Sequence, residues 1–415
     1  MPVVVFTAPY FTENARRFIA ATARVPGVRL GLISQEPVEL LPPDVRGGVA
    51  AHWRVSDAFD TEQLVGATHA LGRTLGTVNR LLGIVEQLQV PLAEAREQLG
   101  IAGMRPEQAR NFRDKARMKA LLRAAGIPTA RHRLVTEASE AYEFAEQVGY
   151  PLIVKPPAGA ASQATFRVTG PAALREALRD ASGSVASRGV AGLDQSVLVE
   201  EFVTGEEHSF DTLCVDGRVV FSSITRYAPT PIDAMQNPWI QWTVLLPREV
   251  DAAAFDDIRA SGTRALAVLG MGTGMSHMEW FRRPDGTLAI SEVAARPPGA
   301  QITTLISRAH DFDLEQALAH LMVYHECQPP GERRYAVGAA FLRGQGQGRV
   351  RAIHGLDQAQ REVGHLVTDA RIPEIGQEPR GSYEGEGYVV LRHPETAVVE
   401  DALRRVISLV RVELG

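Results

Sequence analysis

The sequence predicts a mixed α/β (α+β) protein in which a leading parallel layer is followed by lobes built from hairpins. Two observations carry this. Over residues 1–105 short apolar runs alternate with amphipathic stretches, the pattern of βα units in an open, mostly parallel sheet. Later, Asp216-Gly217 and Asp285-Gly286 each separate two apolar-alternating runs, the strongest short-range hairpin signal. At 415 residues the chain suits two or three packed modules.

Composition narrows the class. Apolar content of 45% and charged content of 22% are ordinary for a globular protein. A net charge of −5 leaves no footprint for nucleic acid. Two distant cysteines, Cys214 and Cys327, exclude a disulfide framework and a Cys-rich zinc site, and fit a reducing cytoplasm. No apolar run approaches membrane-spanning length, so no membrane partner is expected. Arg16-Arg17 before Phe18-Ile19-Ala20 has the flavour of an export signal, but Arg24 interrupts the apolar stretch and favours a surface helix.

Taken in order, Val3–Phe6 reads as a buried strand, 16–22 as a helix and 28–33 as a second strand. Residues 75–88 look helical, and 92–99 form another helix stopped by Gly100. The first βα turn, Thr7-Ala8-Pro9-Tyr10, has no glycine fingerprint, which argues against a dinucleotide site. Asp114-Lys115 opens a helix whose apolar residues fall at Met118, Leu121, Leu122 and Ala125, with Gly126 as its stop. A cation in a first helical turn is disfavoured by the dipole, so Lys115 suggests an anion nearby; an ordinary exposed lysine is the plain alternative.

The strand ending at Lys155 is followed by the small-residue loop Ala158-Gly159-Ala160-Ala161-Ser162 and a returning strand over 165–168. Backbone N–H groups of such a loop approach a phosphate closely, and Lys155 at its root is a point charge for it. The alternative is a plain hairpin with an edge lysine. A helix from Pro171 to about Ala181 comes next, with Ser182-Gly183-Ser184 opening a flexible connection. The strand over 196–203 carries Glu200, Glu201 and Val203 into a polar turn, and Glu207 begins the next strand. The Pro-rich stretch 228–239 reads as a long surface loop able to cover a site. Residues 256–269 form an amphipathic helix ending at Gly270.

The hairpin around Pro284-Asp285-Gly286 holds the most chemistry. With Asp285-Gly286 as a two-residue turn, Glu279 faces Glu292 and His277 faces Ala294, and Arg296 shares that face. Directly opposed carboxylates, about 4.5–5.5 Å apart at Cβ, repel each other. A cation between them relieves this, and such an oxygen pair suits Mg²⁺ shared with phosphate. Two unremarkable glutamates on a solvated face are the competing reading. Met278, Trp280 and Val293 on the other face read as core. After Arg296, Pro297-Pro298-Gly299 leads into a helix from about Gln301, an anion site in waiting. Gly344, Gly346 and Gly348 mark a hairpin or bulge rather than a phosphate loop, and a last helix covers about 398–412.

This ordered set (two lysines, a Glu-Glu-Phe-Val turn, Gly-x-Glu, then Glu … Glu-x-x-x-Arg) resembles the ATP-grasp superfamily of carboxylate–amine and thiol ligases. The likeness is closest to the L-amino-acid (dipeptide) ligases, through Ser276-His277-Met278-Glu279 and Arg296-Pro297-Pro298-Gly299. It implies a Rossmann-like N-terminal domain over 1–105, a small lobe over 106–190, and a large lobe over 191–415 whose C-terminal subdomain covers about 331–415. It implies that Lys115 and Lys155 contact ATP phosphates. Glu201 and Val203 would bond adenine through backbone groups, with Glu200 beside them, and Glu207 would take the ribose. Glu279 and Glu292 would hold Mg²⁺, with Mn²⁺ as the alternative ion. Arg296 would be the catalytic residue at the transferred phosphoryl group. His277, Arg296 and Gly299 would meet the substrate. The family's Asn two residues after the second Glu is here Ala294. The implied reaction phosphorylates a carboxylate to an acyl phosphate and joins it to an amine, releasing ADP and phosphate. The implied partners are a small carboxylate and amine, with a homodimer allowed. A bicarbonate-using carboxylase or carbamoyl-phosphate-type enzyme, and a nucleotide-binding module without catalysis, remain as alternatives.

Overall fold

The computed structural model describes residues 1–159, 164–186 and 196–415. Four strands form an N-terminal sheet in the spatial order Ala51–Arg54, Arg29–Ser34, Val3–Thr7, Val78–Leu82. All neighbours are parallel. Its central strand is buried on both faces, as a parallel sheet requires. Val4 and Phe6 pack toward Phe18 and Ile19 of the helix Glu13–Ala23. Val5 packs toward Leu64 and Leu71 of the helix Thr61–Leu75 and toward Leu92 of Gln89–Leu99.

The helix expected over 75–88 is absent. Gly76, at φ +99°, ends the helix Thr61–Leu75. Val78–Leu82 then pairs with Val3–Thr7 as a strand. Apolar Val78, Leu81 and Leu82 happen to fall at helical spacing, and pairing with the central strand overrides it.

The second sheet runs His132–Val135, Val197–Glu201, Leu152–Lys155, Phe166–Val168. One face packs on the helices Ala138–Val148 and Pro171–Ala186. The latter continues through 182–186, where the sequence reads as a flexible connection. Val197–Glu201 joins this sheet from beyond residue 190. Of the small-residue loop after Lys155, Ala160, Ala161 and Ser162 lie outside the described residues.

The largest sheet has eight antiparallel strands. Their order is Leu288–Ala294, Gly274–Arg282, Glu206–Val215, Arg218–Ala228, Trp242–Leu246, Ala336–Leu342, Gly387–His393, Val367–Arg371. Asp216 and Gly217, at φ +48° and +78°, make the two-residue turn expected there. Within the Pro-rich stretch, Thr230 caps a short helix, Pro231–Gln236, with proline at its first position, so it is not wholly a loop.

The hairpin that carries Glu279 and Glu292 departs from expectation twice. The Arg283 N–H donates to the Thr287 carbonyl, so the loop is three residues, Pro284–Gly286, with Gly286 at φ +82°. That loop pairs Arg282 with Leu288, Phe281 with Ala289 and Trp280 with Ile290. A bulge then leaves Ser291 unpaired, and Glu279 meets Glu292. The longer loop and the bulge shift the register in opposite senses. The expected pairs, Glu279 with Glu292 and His277 with Ala294, are therefore the pairs formed. Met278, Trp280 and Val293 lie fully buried on the other face.

The C-terminal part adds a three-stranded sheet of Gly344–Gly346, Arg411–Leu414 and Val350–His354. A Cβ on Gly346 would stand 2.5 Å from the Leu414 carbonyl oxygen, so the glycine run serves close strand approach. The last helix is Thr396–Leu409, and the chain ends as a strand rather than a helix. Among the described residues no helix is long and apolar enough to cross a membrane.

Candidate active site

One cleft lies where the eight-stranded sheet faces the sheet of Leu152–Lys155 and Val197–Glu201, with about 1160 Å³ of empty space, part of it open to solvent. Lys115, Lys155, Glu200, Glu201, Val203, Glu207, His277, Glu279, Glu292, Arg296 and Gly299 all line it, so the structure gathers every expected site residue into one place. Pro231 and Ile232 of the short helix also line it, so part of the Pro-rich segment borders the cleft.

Lys115 stands at the first position of the helix Lys115–Ala124, which Asp114 caps by accepting from the Ala116 and Arg117 N–H groups. Its Nζ is 2.9 Å from Glu292 Oε1 and donates to the Gly159 carbonyl at 2.8 Å. Lys155 ends its strand with Nζ 2.9 Å from Glu200 Oε2. Glu200 Oε1 lies 3.2 Å from Lys119 Nζ, an ion pair outside hydrogen-bond geometry. Lys119 is 0% and Glu200 3% exposed. Burial alone would raise the Glu200 carboxyl, but the two ammonium groups hold it down at about 2. Lys119 has one shared carboxylate against full burial, and burial wins, lowering it to about 8. Lys155 goes the other way, because Glu200 and Glu292 together outweigh its burial.

Glu201 and Val203 sit where the two sheets join. The Glu201 carboxylate accepts from the Arg131 side chain at 2.5 Å and from Arg283 at 2.8 Å. That ties up the side chain, and the Glu201 N–H donates to the Arg131 carbonyl at 2.9 Å. Among the described residues no protein group bonds the Val203 N–H. Glu207 pairs with Phe281 across the strands and is buried, and its Oε2 has no partner among the described residues. Burial, then the charge on Glu279, pushes its carboxyl well above the usual range.

His277 Nδ1 is 2.7 Å from Asp211 Oδ1, and Asp211 also accepts from Ser209 at 2.6 Å. Its Nε2 lies 3.7 Å from Glu279 Oε1. Burial opposes the imidazolium, but Asp211 raises it to about 9, so His277 is a cation beside Glu279 at neutral pH. Arg296 donates from Nε at 3.0 Å and Nη2 at 2.8 Å to Glu86 Oε2. Glu86 also meets Arg113 at 3.2 Å and Lys115 at 3.9 Å. Burial would raise Glu86, but these cations hold it at about 2.

Beyond Gly299 the helix N-terminus is already occupied: the Ala300 N–H donates to Glu384 Oε1 at 2.9 Å. Ala300 and Gln301 both take positive φ, +54° and +59°, a strained entry to the helix Ile302–His310.

Sequence reasoning missed Glu86, Lys119, Asp211 and Tyr383, the last of which also lines the cleft. Lys119 carried a signal: with Lys115, Met118 and Leu122 it completes a stripe at helical spacing, and a lysine on such a stripe must find a buried partner. Asp211 and Tyr383 depend on which strands and loops pair, which periodicity does not reveal.

Among the described residues, no three His, Cys, Asp or Glu side chains converge as a metal cluster. Glu279 and Glu292 supply carboxylate oxygens from directly opposed positions. Mg²⁺ is commonly held by one or two carboxylates with substrate phosphates completing the shell, and the pair fits that demand.

Residues 148–305 match the family model described as an ATP-grasp domain. The chain is 27% identical over 254 residues to the L-arginine-specific L-amino acid ligase of Bacillus subtilis, covering 61% of this chain and 59% of that protein. It is 24% identical over 276 residues to the alanine–anticapsin ligase of Bacillus subtilis strain 168, covering 63% and 57%. The chain thus spans somewhat under two thirds of the length of these relatives. The crystal structure of an L-amino acid ligase from Bacillus licheniformis superposes with a TM-score of 0.78 at 19% identity, over 100% of this chain and 99% of that one. The chain carries an ATP-grasp domain and has the ATP-grasp fold.

Proposed function

We propose that this protein is an ATP-dependent carboxylate–amine ligase. One observation carries the reading: Lys115, Lys155 and Arg296 line the same cleft as the opposed carboxylates Glu279 and Glu292. Phosphoryl transfer needs positioning and charge neutralisation more than a protein nucleophile, and this set supplies both.

The adenine would lie at the Glu201–Val203 junction, where the Val203 N–H is available. Glu207 would reach the ribose. Lys115 and Lys155 would donate to phosphate oxygens, Lys115 exchanging its present contact with Glu292. Lys155 is aimed by Glu200. Glu279 and Glu292 would hold Mg²⁺ (or Mn²⁺), which when bound neutralises phosphate charge. Arg296, fixed by Glu86, would stabilise the phosphoryl group and the acyl phosphate formed from the substrate carboxylate. An amine then attacks the acyl carbon, phosphate leaves, and an amide forms. His277 and Gly299 would border the substrate. The domain divisions at about 105, 190 and 330 belong to the same reading. So do a homodimer and a reducing cytoplasm, the latter fitting the free cysteines Cys214 and Cys327.

The test is ADP release with pairs of amino acids, with mass detection of the amide. Amide-coupled ADP release supports the ligase. ADP release that depends on bicarbonate instead, or nucleotide binding without turnover across all pairs, defeats it.

A further inference from the structure

A second cavity, with about 1330 Å³ of empty space on the same measure, part of it open to solvent, lies behind the cleft, between the N-terminal sheet and the base of the hairpin. Its lining is rich in methionine: Met104, Met271, Met275 and Met322 all contribute. Methionine surfaces repack around apolar ligands of varied shape. Arg80 and Arg96 join them, with Arg296 at the cleft end. Among the described residues neither Arg80 nor Arg96 meets a carboxylate. Arg96 donates from Nε to the Leu81 carbonyl at 2.8 Å. Arg80 donates to the carbonyls of Met322 at 3.2 Å and Asn79 at 2.9 Å. Each keeps guanidinium N–H groups in hand. Burial, with no anion to offset it, lowers the Arg96 guanidinium. Asp216 is the one acid on the lining, and it stands at the exposed rim beside Thr273.

The cavity has two ends. Arg96, Gly103 and Met104 also line a small outer hollow, so Arg96 stands between the cavity and the surface. A Cβ on Gly103 would come within 2.8 Å of Arg96 Cδ, so glycine there leaves room for the arginine. At the other end Arg296 lines both this cavity and the cleft, forming their common wall.

We propose that this cavity is a binding subsite for a small monocarboxylate with an apolar tail, its carboxylate on Arg96 and Arg80 and its tail among the four methionines. A planar guanidinium with free N–H groups matches a carboxylate, and half-buried cations without counter-charge favour one. The subsite rests on its own residues; only its link to catalysis, through Arg296, draws on the ligase reading.

The test is calorimetric titration of the nucleotide-free protein with 4-methylpentanoate and with its neutral isostere 4-methylpentanamide. The acid should bind and the amide should bind at least roughly tenfold more weakly, the loss of one charge-assisted contact. Arg96→Gln should weaken the acid to the level of the amide, and Arg96→Lys should restore part of it. Lys155→Ala, in the cleft, should leave the titration unchanged, so this outcome stands apart from ligase activity. Competition by an amino-acid substrate in the same titration would identify a substrate subsite, and its absence an effector subsite; both support the proposal. No binding at millimolar acid, equal binding of acid and amide, or an unchanged Arg96→Gln titration would overturn it.

Discussion

Replacing Glu200 by glutamine tests the ion triad that holds Lys155. Glutamine keeps the shape and removes the charge between two buried ammonium groups. The magnitude follows from the carboxyl itself. Its folded value is about 2 against an ordinary 4.5, so the protein favours the charged over the neutral form. At about 1.36 kcal/mol per unit, that difference is about 3 kcal/mol. Breaking a buried pair by removing one partner typically costs about 3–5 kcal/mol, an independent route to the same size. Glu200→Gln should therefore lose about 3 kcal/mol at pH 7, read from urea unfolding with an unchanged slope. The sign of the pH dependence is fixed. A depressed carboxyl contributes above its unfolded value near 4.5, and the contribution fades as pH falls toward 2. The gap between wild type and variant should close over that window. A loss under about 1 kcal/mol at pH 7, or a gap that persists at the acid end, would refute the reasoning.

Other outcomes follow from the same geometry. Lys119→Met should cost little stability, because burial already disfavours the charged lysine. The wild type should gain stability relative to this variant as pH rises from about 8 toward 10.5, since the unfolded chain then binds the extra proton; parallel pH profiles would contradict that. Asp211→Asn should bring the His277 imidazole down from about 9, seen by NMR titration of the ring, and an unmoved ring would break the assignment. Glu292→Gln should keep the melting temperature within a few degrees while ADP release falls at least roughly a hundredfold, and retained turnover would remove the metal role. Chelation of divalent ions should likewise abolish ADP release without unfolding the chain.

Much of the cleft was legible because its residues sit where local rules are strong. A glycine turn, strand alternation and a helix start place Glu279, Glu292, Lys115 and Lys155 with no knowledge of the whole fold. Even so, the Glu279–Glu292 pairing was reached through a turn that is one residue longer than expected. The bulge at Ser291 restores it. A bulge is a device for re-aiming side chains, and here it returns both carboxylates to the cleft face after the longer loop has turned them off it.

The layer behind those residues was not legible, for a different reason. Glu86 fixes Arg296 from a turn after the N-terminal sheet, 210 positions away in sequence. Reading 75–88 as a helix hid it, because the strand inside that stretch exists only through pairing with Val3–Thr7. Asp211 meets His277 only because Glu206–Val215 lies beside Gly274–Arg282 in the large sheet. Such partners hold charges in place from elements that topology alone brings close. Glu86 demonstrates what this costs a local reading. It touches Arg296, Arg113 and Lys115 at once. Its removal would leave three cations crowded at one end of the cleft, so the charge balance of the site depends on a residue from the turn that follows the N-terminal sheet.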